Sequence, residues 1–265
     1  MSIIPTRNAL PEGFETHVEA EERRAYKIEV LSGGNKTQQQ LARKLQRCRK
    51  GARCNTGACD VCERLFRLRL LRQLEPILAS RSHWTRASVV PADFLFAPGE
   101  LGNVDLNALR KKISKRFERW SLRNRIVIAG IDISYNIEDN EAVGWQLHLY
   151  MLVEGEHTPQ LAEAVKATFP PEKTARVPYH FTQLTGRPGA ALTYLYKSVF
   201  WRRSRYTVYE RWPVIRTRNL PLKRPELREL LEFIGRYPIG ARLILRGLRR
   251  DGRHLIVTKR RKPAK

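Results

Sequence analysis

The sequence predicts an α+β fold built on one antiparallel sheet, and three observations carry that expectation. Residues 144–153 alternate with a period of two, Leu147, Leu149 and Met151 against Gln146, His148 and Tyr150, and residues 125–135 read as a strand with Ile131 and Ile133 on one face and Asp132 and Ser134 on the other, the mark of strands with one buried face. A short polar loop, residues 136–143, joins them as a hairpin. Segments with helical periodicity precede and follow the hairpin, so helices and strands alternate along one chain.

Composition narrows the class. The 265 residues are 42% hydrophobic, enough for one large domain or a core with appendages. Lys and Arg number 50 against 26 acidic residues, a net charge of +24, which implies a polyanionic partner, most often nucleic acid. Ribosomal and membrane-surface proteins share that signature. No apolar run approaches the roughly 20 residues that span a bilayer, and the N-terminus lacks a basic-then-apolar leader, so a soluble, cytoplasmic protein without a membrane partner is expected. All four cysteines fall between positions 48 and 62, unlike a disulfide framework.

Residues 1–36 read as a flexible arm, with a short helix at the end of residues 1–25, a strand over 26–31 and a turn at Ser32-Gly33-Gly34-Asn35. Residues 37–80 form the next unit. A helix starting at Thr37 as N-cap leads into Cys48, Cys54, Cys59 and Cys62, spaced C-x5-C-x4-C-x2-C. The tight Cys59/Cys62 pair can turn both sulfurs to one ion, and four thiolates close a structural zinc shell. An iron–sulfur cluster or simple reactive thiols are the alternatives. A basic helix over 64–78 follows, and its Arg64 and Arg67 can lie on phosphates or form a solvated face.

Residues 81–202 read as the core: a strand over 84–96, a helix over 106–120 after Asp105, the hairpin, a helix over 158–169, a strand over 177–184 and a helix over 190–202. The order β-α-β-β-α-β-α suggests a ferredoxin-like antiparallel sheet with helices on one face. Residues 203–265 are a basic extension with a helix over 225–236, a hairpin at Asp251-Gly252 and the tail Lys259-Arg260-Arg261-Lys262. Arg202, Arg203 and Arg205, interleaved with Trp201, Tyr206, Tyr209 and Trp212, suit single-stranded nucleic acid: rings stack on bases while cations track the backbone.

The hairpin carries the chemistry. Gln146, His148 and Tyr150 share one face of its second arm, and Asp132 shares the corresponding face of the first. On the last core helix Tyr194 and Lys197 are three residues apart and so neighbours on its surface, whereas Tyr196 points elsewhere.

Taken together, these segments resemble the HUH endonuclease superfamily of rolling-circle replication initiators and transposases. Gly144-Trp145-Gln146-Leu147-His148-Leu149-Tyr150 is similar to the family's histidine strand, with His148 at the first histidine. Ile131-Asp132-Ile133 is similar to the preceding acidic strand, and Tyr194-Leu195-Tyr196-Lys197 to the tyrosine-x-x-lysine motif of the single-tyrosine class. An upstream cysteine cluster is common in plasmid and transposon members, and the resemblance covers about positions 48–200. It implies a nuclease that nicks and joins single-stranded or hairpin DNA, with Tyr194 as nucleophile, Lys197 beside it, and Mg²⁺ or Mn²⁺ polarising the phosphate. The family's second histidine is Tyr150 here, so the ligand set shrinks to His148, Asp132 and the Gln146 carbonyl oxygen. Weakened metal binding is the simplest expectation, and a DNA-binding relative without nicking activity is the alternative. An RNA-binding or ribosome-associated protein is a third reading.

Overall fold

The computed structural model describes residues 14–119, 121–170, 178–185, 188–209, 213–251 and 254–258. Residues 1–13 of the expected arm, Trp120, Val177, Trp212, Gly252 and Lys259-Arg260-Arg261-Lys262 lie outside the described residues.

The short helix expected at the end of the arm runs on through the segment expected to be a strand, as α1 (His17–Ser32). Thr16 caps it: its hydroxyl accepts from the Glu19 amide while the Glu19 carboxylate accepts from the Thr16 amide. The β-branched and aromatic residues at 26–30 therefore continue a helix already nucleated upstream, and Ala20, Lys27 and Leu31 fall on its buried face. The next helix, α2 (Lys36–Gln46), is capped by Asn35 rather than Thr37, through a reciprocal bond with Gln38. A loop carrying Cys48, Cys54 and Cys59 leads to α3 (Asp60–Ala79), which holds Cys62 in its first turn, starts four residues earlier than expected and buries Phe66, Leu70, Leu74 and Leu78.

Next come β1 (Trp84–Val89) and β2 (Leu95–Phe96), separated by a 3-10 turn where one strand was expected. The helix α4 (Leu106–Arg119) buries Leu106, Leu109, Ile113 and Phe117. The hairpin is β3 (Val127–Glu138) and β4 (Glu141–Glu154), and its turn residues Asp139 and Asn140 have positive φ. Then come α5 (Pro159–Thr168), β5 (Tyr179–Gln183) and α6 (Pro188–Leu195). The helix expected to reach Arg202 therefore stops at Leu195. Residues 201–209 form β6 (Trp201–Tyr209), which turns back as β7 (Pro213–Leu220). The chain closes with α7 (Arg224–Gly235), β8 (Leu243–Arg246) and the hairpin β9 (Leu248–Asp251) and β10 (His254–Val257).

The main sheet runs β5-β1-β4-β3-β6-β7, with β2 beside β4 and β8 beside β3. It is mixed, because β6 lies parallel to β3 while the other pairings are antiparallel. The boundary expected at residue 202 falls inside β6, and the C-terminal segment supplies sheet strands rather than a separate extension. Helices cover both faces, not one. Leu147, Leu149, Met151, Ile131 and Ile133 pack into the core that includes α4, α5 and α7. On the opposite face Ile128, Leu152 and Trp84 meet α3 and α6. Among the described residues no helix is long and apolar enough to cross a membrane.

Candidate functional site

The helices α3 and α6 cover one end of that second face. Along β4 its residues are Leu152, Tyr150, His148 and Gln146, and along β3 they are Ile128, Gly130, Asp132 and Ser134. The first of each series is apolar and lies under α3 and α6. The others, Gly130 apart, are polar and form a floor. Antiparallel register sets Asp132 opposite His148, Ser134 opposite Gln146 and Gly130 opposite Tyr150. The hairpin thus brings together the side chains that its alternation predicted.

At the end of α6, Tyr194 is 50% exposed and its ring meets that of Tyr150 edge-on, centroids 4.7 Å apart. Lys197 lies two residues beyond the helix end yet still reaches the floor. Its ammonium donates to Asp132 Oδ2 and to the Tyr150 hydroxyl, each at 3.2 Å. It also lies 4.0 Å from the Tyr194 ring centroid and 4.3 Å from that of Tyr150. Burial alone would lower the lysine pKa, but Asp132 and the tyrosines outweigh it and hold the ammonium above its ordinary value. Burial raises Tyr150, and Asp132 adds to the shift, so this phenol stays neutral. Tyr196 is buried under Arg242 with its hydroxyl accepting from the Gly240 amide, in keeping with its exclusion from the site.

His148 is buried, and its Nε2 stands 2.9 Å from the Ser134 hydroxyl. Burial first, and Arg203 next, push its pKa down to about 3, so the imidazole is neutral. Between that value and the ordinary 6.5 the unfolded chain binds a proton that the folded chain refuses. Stability should therefore fall as pH drops through this window, by on the order of 5 kcal/mol over its full width. His148→Gln should flatten that part of the acid-unfolding profile. Equal losses for wild type and variant between pH 7 and pH 4 in denaturant titrations would contradict it.

Gln146 is buried too, but its amide nitrogen donates to the carbonyls of Pro91, Phe94 and Leu147 at 3.2–3.3 Å, turned towards the 91–94 loop. Beside this floor is a cleft of about 440 Å³, lined by Tyr150, His148, Tyr194, Arg86, His180 and Arg203 among others. Sequence reading missed Arg86 and His180. The readable signal was the alternation of Tyr179 and Phe181 with His180 and Thr182, which puts His180 on the floor's side through its pairing with Ser88.

The expected nucleic-acid residues divide. Register with β3 places Trp201, Arg203 and Arg205 on the floor's side of β6, with Arg202 and Tyr206 on the other. Arg205 pairs with Glu138 and Arg202 with the buried Glu226, both at 3.2 Å. Arg64 and Arg67 are internal ties instead. Arg64 bonds the Glu15 carbonyl at 2.9 Å, and buried Arg67 pairs with the Glu15 carboxylate and stacks on Phe14. Lys259, Arg260 and Arg261 lie outside the described residues.

The ligand sulfurs of Cys48, Cys54, Cys59 and Cys62 lie within 4.8 Å of one another, and three of the cysteines are buried. Contacts of 3.5–3.7 Å link Cys62 to Cys48, Cys62 to Cys54 and Cys59 to Cys48. Four sulfurs about 2.3 Å from a central ion would stand roughly 3.8 Å apart, so the cluster can hold a tetrahedral metal such as zinc. Sulfur–sulfur hydrogen bonding divides the group's acidity: Cys62 is held down at about 2 while Cys59 is driven far up. A cation would let all four thiolates coexist.

No family model, curated protein or solved structure significantly matches the chain.

Proposed function

We propose that this chain is a single-tyrosine enzyme of the HUH endonuclease superfamily, nicking and rejoining single-stranded or hairpin DNA through a 5′-phosphotyrosine link. One observation carries the reading: an exposed tyrosine, Tyr194, stands over an ammonium, Lys197, that is tied to a buried carboxylate, Asp132, opposite His148. The element order β1-α4-β3-β4-α5-β5, with these strands lying β5-β1-β4-β3, supports a ferredoxin-like core, with His148 on an inner strand and Tyr194 on the helix that follows. The net charge of +24 supports a DNA partner. The closed four-cysteine shell supports structural zinc.

In this reading the Tyr194 phenol oxygen attacks phosphorus, its proton passing to solvent at the exposed mouth. The bond from phosphorus to the 3′ oxygen breaks, and that oxygen leaves as a hydroxyl after taking a proton. Lys197 lowers the cost of the phenolate and of the charge that builds on the phosphate oxygens. Arg86 and Arg203 hold neighbouring phosphates along the cleft. Asp132 Oδ1 is buried without a hydrogen-bond partner and His148 is a neutral imidazole, so these two residues fit a divalent ion. Mg²⁺ or Mn²⁺ bound there would polarise the scissile phosphate. Gln146 is the weaker candidate, since its amide is anchored to the 91–94 loop.

The test is incubation with hairpin-bearing single-stranded oligonucleotides and Mn²⁺. Wild type should form an adduct that survives denaturing gels, and Tyr194→Phe should form none. Absence of adduct from wild type, or its persistence in the variant, sinks the reading.

Tyr150 favours a second reading, a DNA-binding relative that no longer nicks. Its phenol, kept neutral by burial, is a poor ligand where the family places an imidazole. Tyr150→His should then raise Mn²⁺ affinity at least ~10-fold in calorimetry, and only that variant should form adduct. In either reading single-strand affinity is salt-steep: four phosphate contacts would give a log–log slope of about −3. A flat salt response would contradict both.

A further inference from the structure

Lys197 carries the proposed chemistry, yet α6 ends at Leu195, so no helix holds the lysine backbone. What holds it is Arg242, 2% exposed. Its Nη2 donates to the Lys197 carbonyl at 2.7 Å and its Nη1 to the Ile131 carbonyl at 2.9 Å. The rings of Tyr196 and Phe200 stack on the guanidinium, centroids 4.3 and 4.8 Å from its carbon.

The place on β3 matters as much. One edge of β3 pairs with β8 up to Gly130 and with β6 from Ser134 onward. Ile131 begins the gap between them. Its amide donates to the Arg242 backbone carbonyl at 2.9 Å, and its own carbonyl takes the Arg242 side chain. Arg242 thus replaces a missing strand beside Asp132. Its charge is matched by Glu63, 0% exposed, whose carboxylate meets Nη2. Glu63 follows Cys62 in the first turn of α3, so the same pair reaches the four-cysteine centre.

We propose that Glu63 and Arg242 are positioning residues, a buried fork that fixes the Lys197 backbone and the Ile131 peptide so that the Lys197 ammonium meets Asp132 and Tyr194. The functional part rests on the nicking reading above. The holding part does not. A guanidinium suits the task because its fork can serve two carbonyls and a carboxylate at once, which an ammonium on a flexible stem cannot.

Removing Arg242 alone would strand a buried carboxylate and can unfold the chain. The test is therefore the full-length double variant Glu63→Gln/Arg242→Met, with Arg242→Lys as the second variant that keeps the charge but loses the fork. In both, amide exchange in segments 130–133 and 195–199 should quicken at least ~10-fold while α4 and α5 are unchanged. Oligonucleotide Kd should stay within about 3-fold, and the adduct rate at saturating oligonucleotide should fall ~10²-fold. Unchanged exchange in those two segments, exchange accelerated uniformly over the chain, or an unaltered adduct rate overturns the proposal. If wild type forms no adduct, the nicking reading fails and the positioning role with it, while the exchange data still decide whether the pair holds Lys197.

Discussion

Chelation is expected to remove a metal such as zinc that the four cysteines can hold, and to cost about 5 kcal/mol or more of folding free energy. It should lower Tm by roughly 10 °C or more. The cysteine segment is tied into the protein at several points. Arg24 donates to the Cys48 carbonyl at 2.6 Å, and the buried Lys27 ammonium reaches Asp60 at 2.8 Å. Thr56 bonds the Gly235 carbonyl at 2.9 Å, and the Ile239 amide bonds the Asn55 carbonyl at 2.8 Å. Cys48, Cys59 and Cys62 are part of the same core as the sheet. Without a cation the crowded sulfurs repel or reprotonate, and the loop loses the geometry on which those ties depend. Cys59→Ser, which offers a poor ligand at the most buried corner, should behave like the chelated protein. The checks are metal analysis, about one zinc per chain, and thermal melts before and after chelation. A melt that ignores both chelator and Cys59→Ser would refute the assignment.

The second large effect is expected at Gly130→Ala. Gly130 lies opposite Tyr150, and a methyl there would stand 1.8 Å from the Leu195 carbonyl oxygen and 2.9 Å from its carbon. Both are backbone atoms, so no side chain can swing away. The C-terminal turn of α6 must lift off the sheet, carrying Tyr194 and Lys197 with it. Overpacking of this kind costs about 1–3 kcal/mol, and a displacement near 1 Å at Tyr194, the proposed nucleophile, would cost ~10²-fold in adduct rate. Gly102→Ala is the control, because nothing lies within 4 Å of its added methyl. If Gly130→Ala matched Gly102→Ala in Tm and adduct rate, α6 would not be seated as described.

What could be read in advance follows from how local each signal is. The hairpin and its floor were legible because Gln146, His148 and Tyr150 alternate strictly with Leu147, Leu149 and Met151. The helices α4 and α5 were legible through periodic apolar residues and sharp starts, and α7 through its start at Pro225. Residues 26–31 misled because Tyr, Ile and Val favour strands, while the decision lay ten residues upstream in the Thr16/Glu19 cap. The strand β6 was hidden by arginines on both faces and β7 by Arg216 and Arg218, since neither presents an apolar row. Lys197 was placed on a helix that ends before it, and its position is set by Arg242, 45 residues away in sequence. Nothing local to residue 242 announces that role. The basic residues were legible as a class but not individually: Arg67 and Arg203 look alike in sequence, and one ties down Glu15 while the other lines the cleft.

The most direct measurement is to trap the covalent protein–DNA species, digest it, and identify by mass spectrometry the residue that carries the 5′ phosphate. The expected result is a phosphotyrosine link at Tyr194 alone, absent from Tyr194→Phe. A link at Tyr150 or at any other residue, or no covalent species on hairpin-bearing single strands with Mn²⁺ present, would contradict the proposed function.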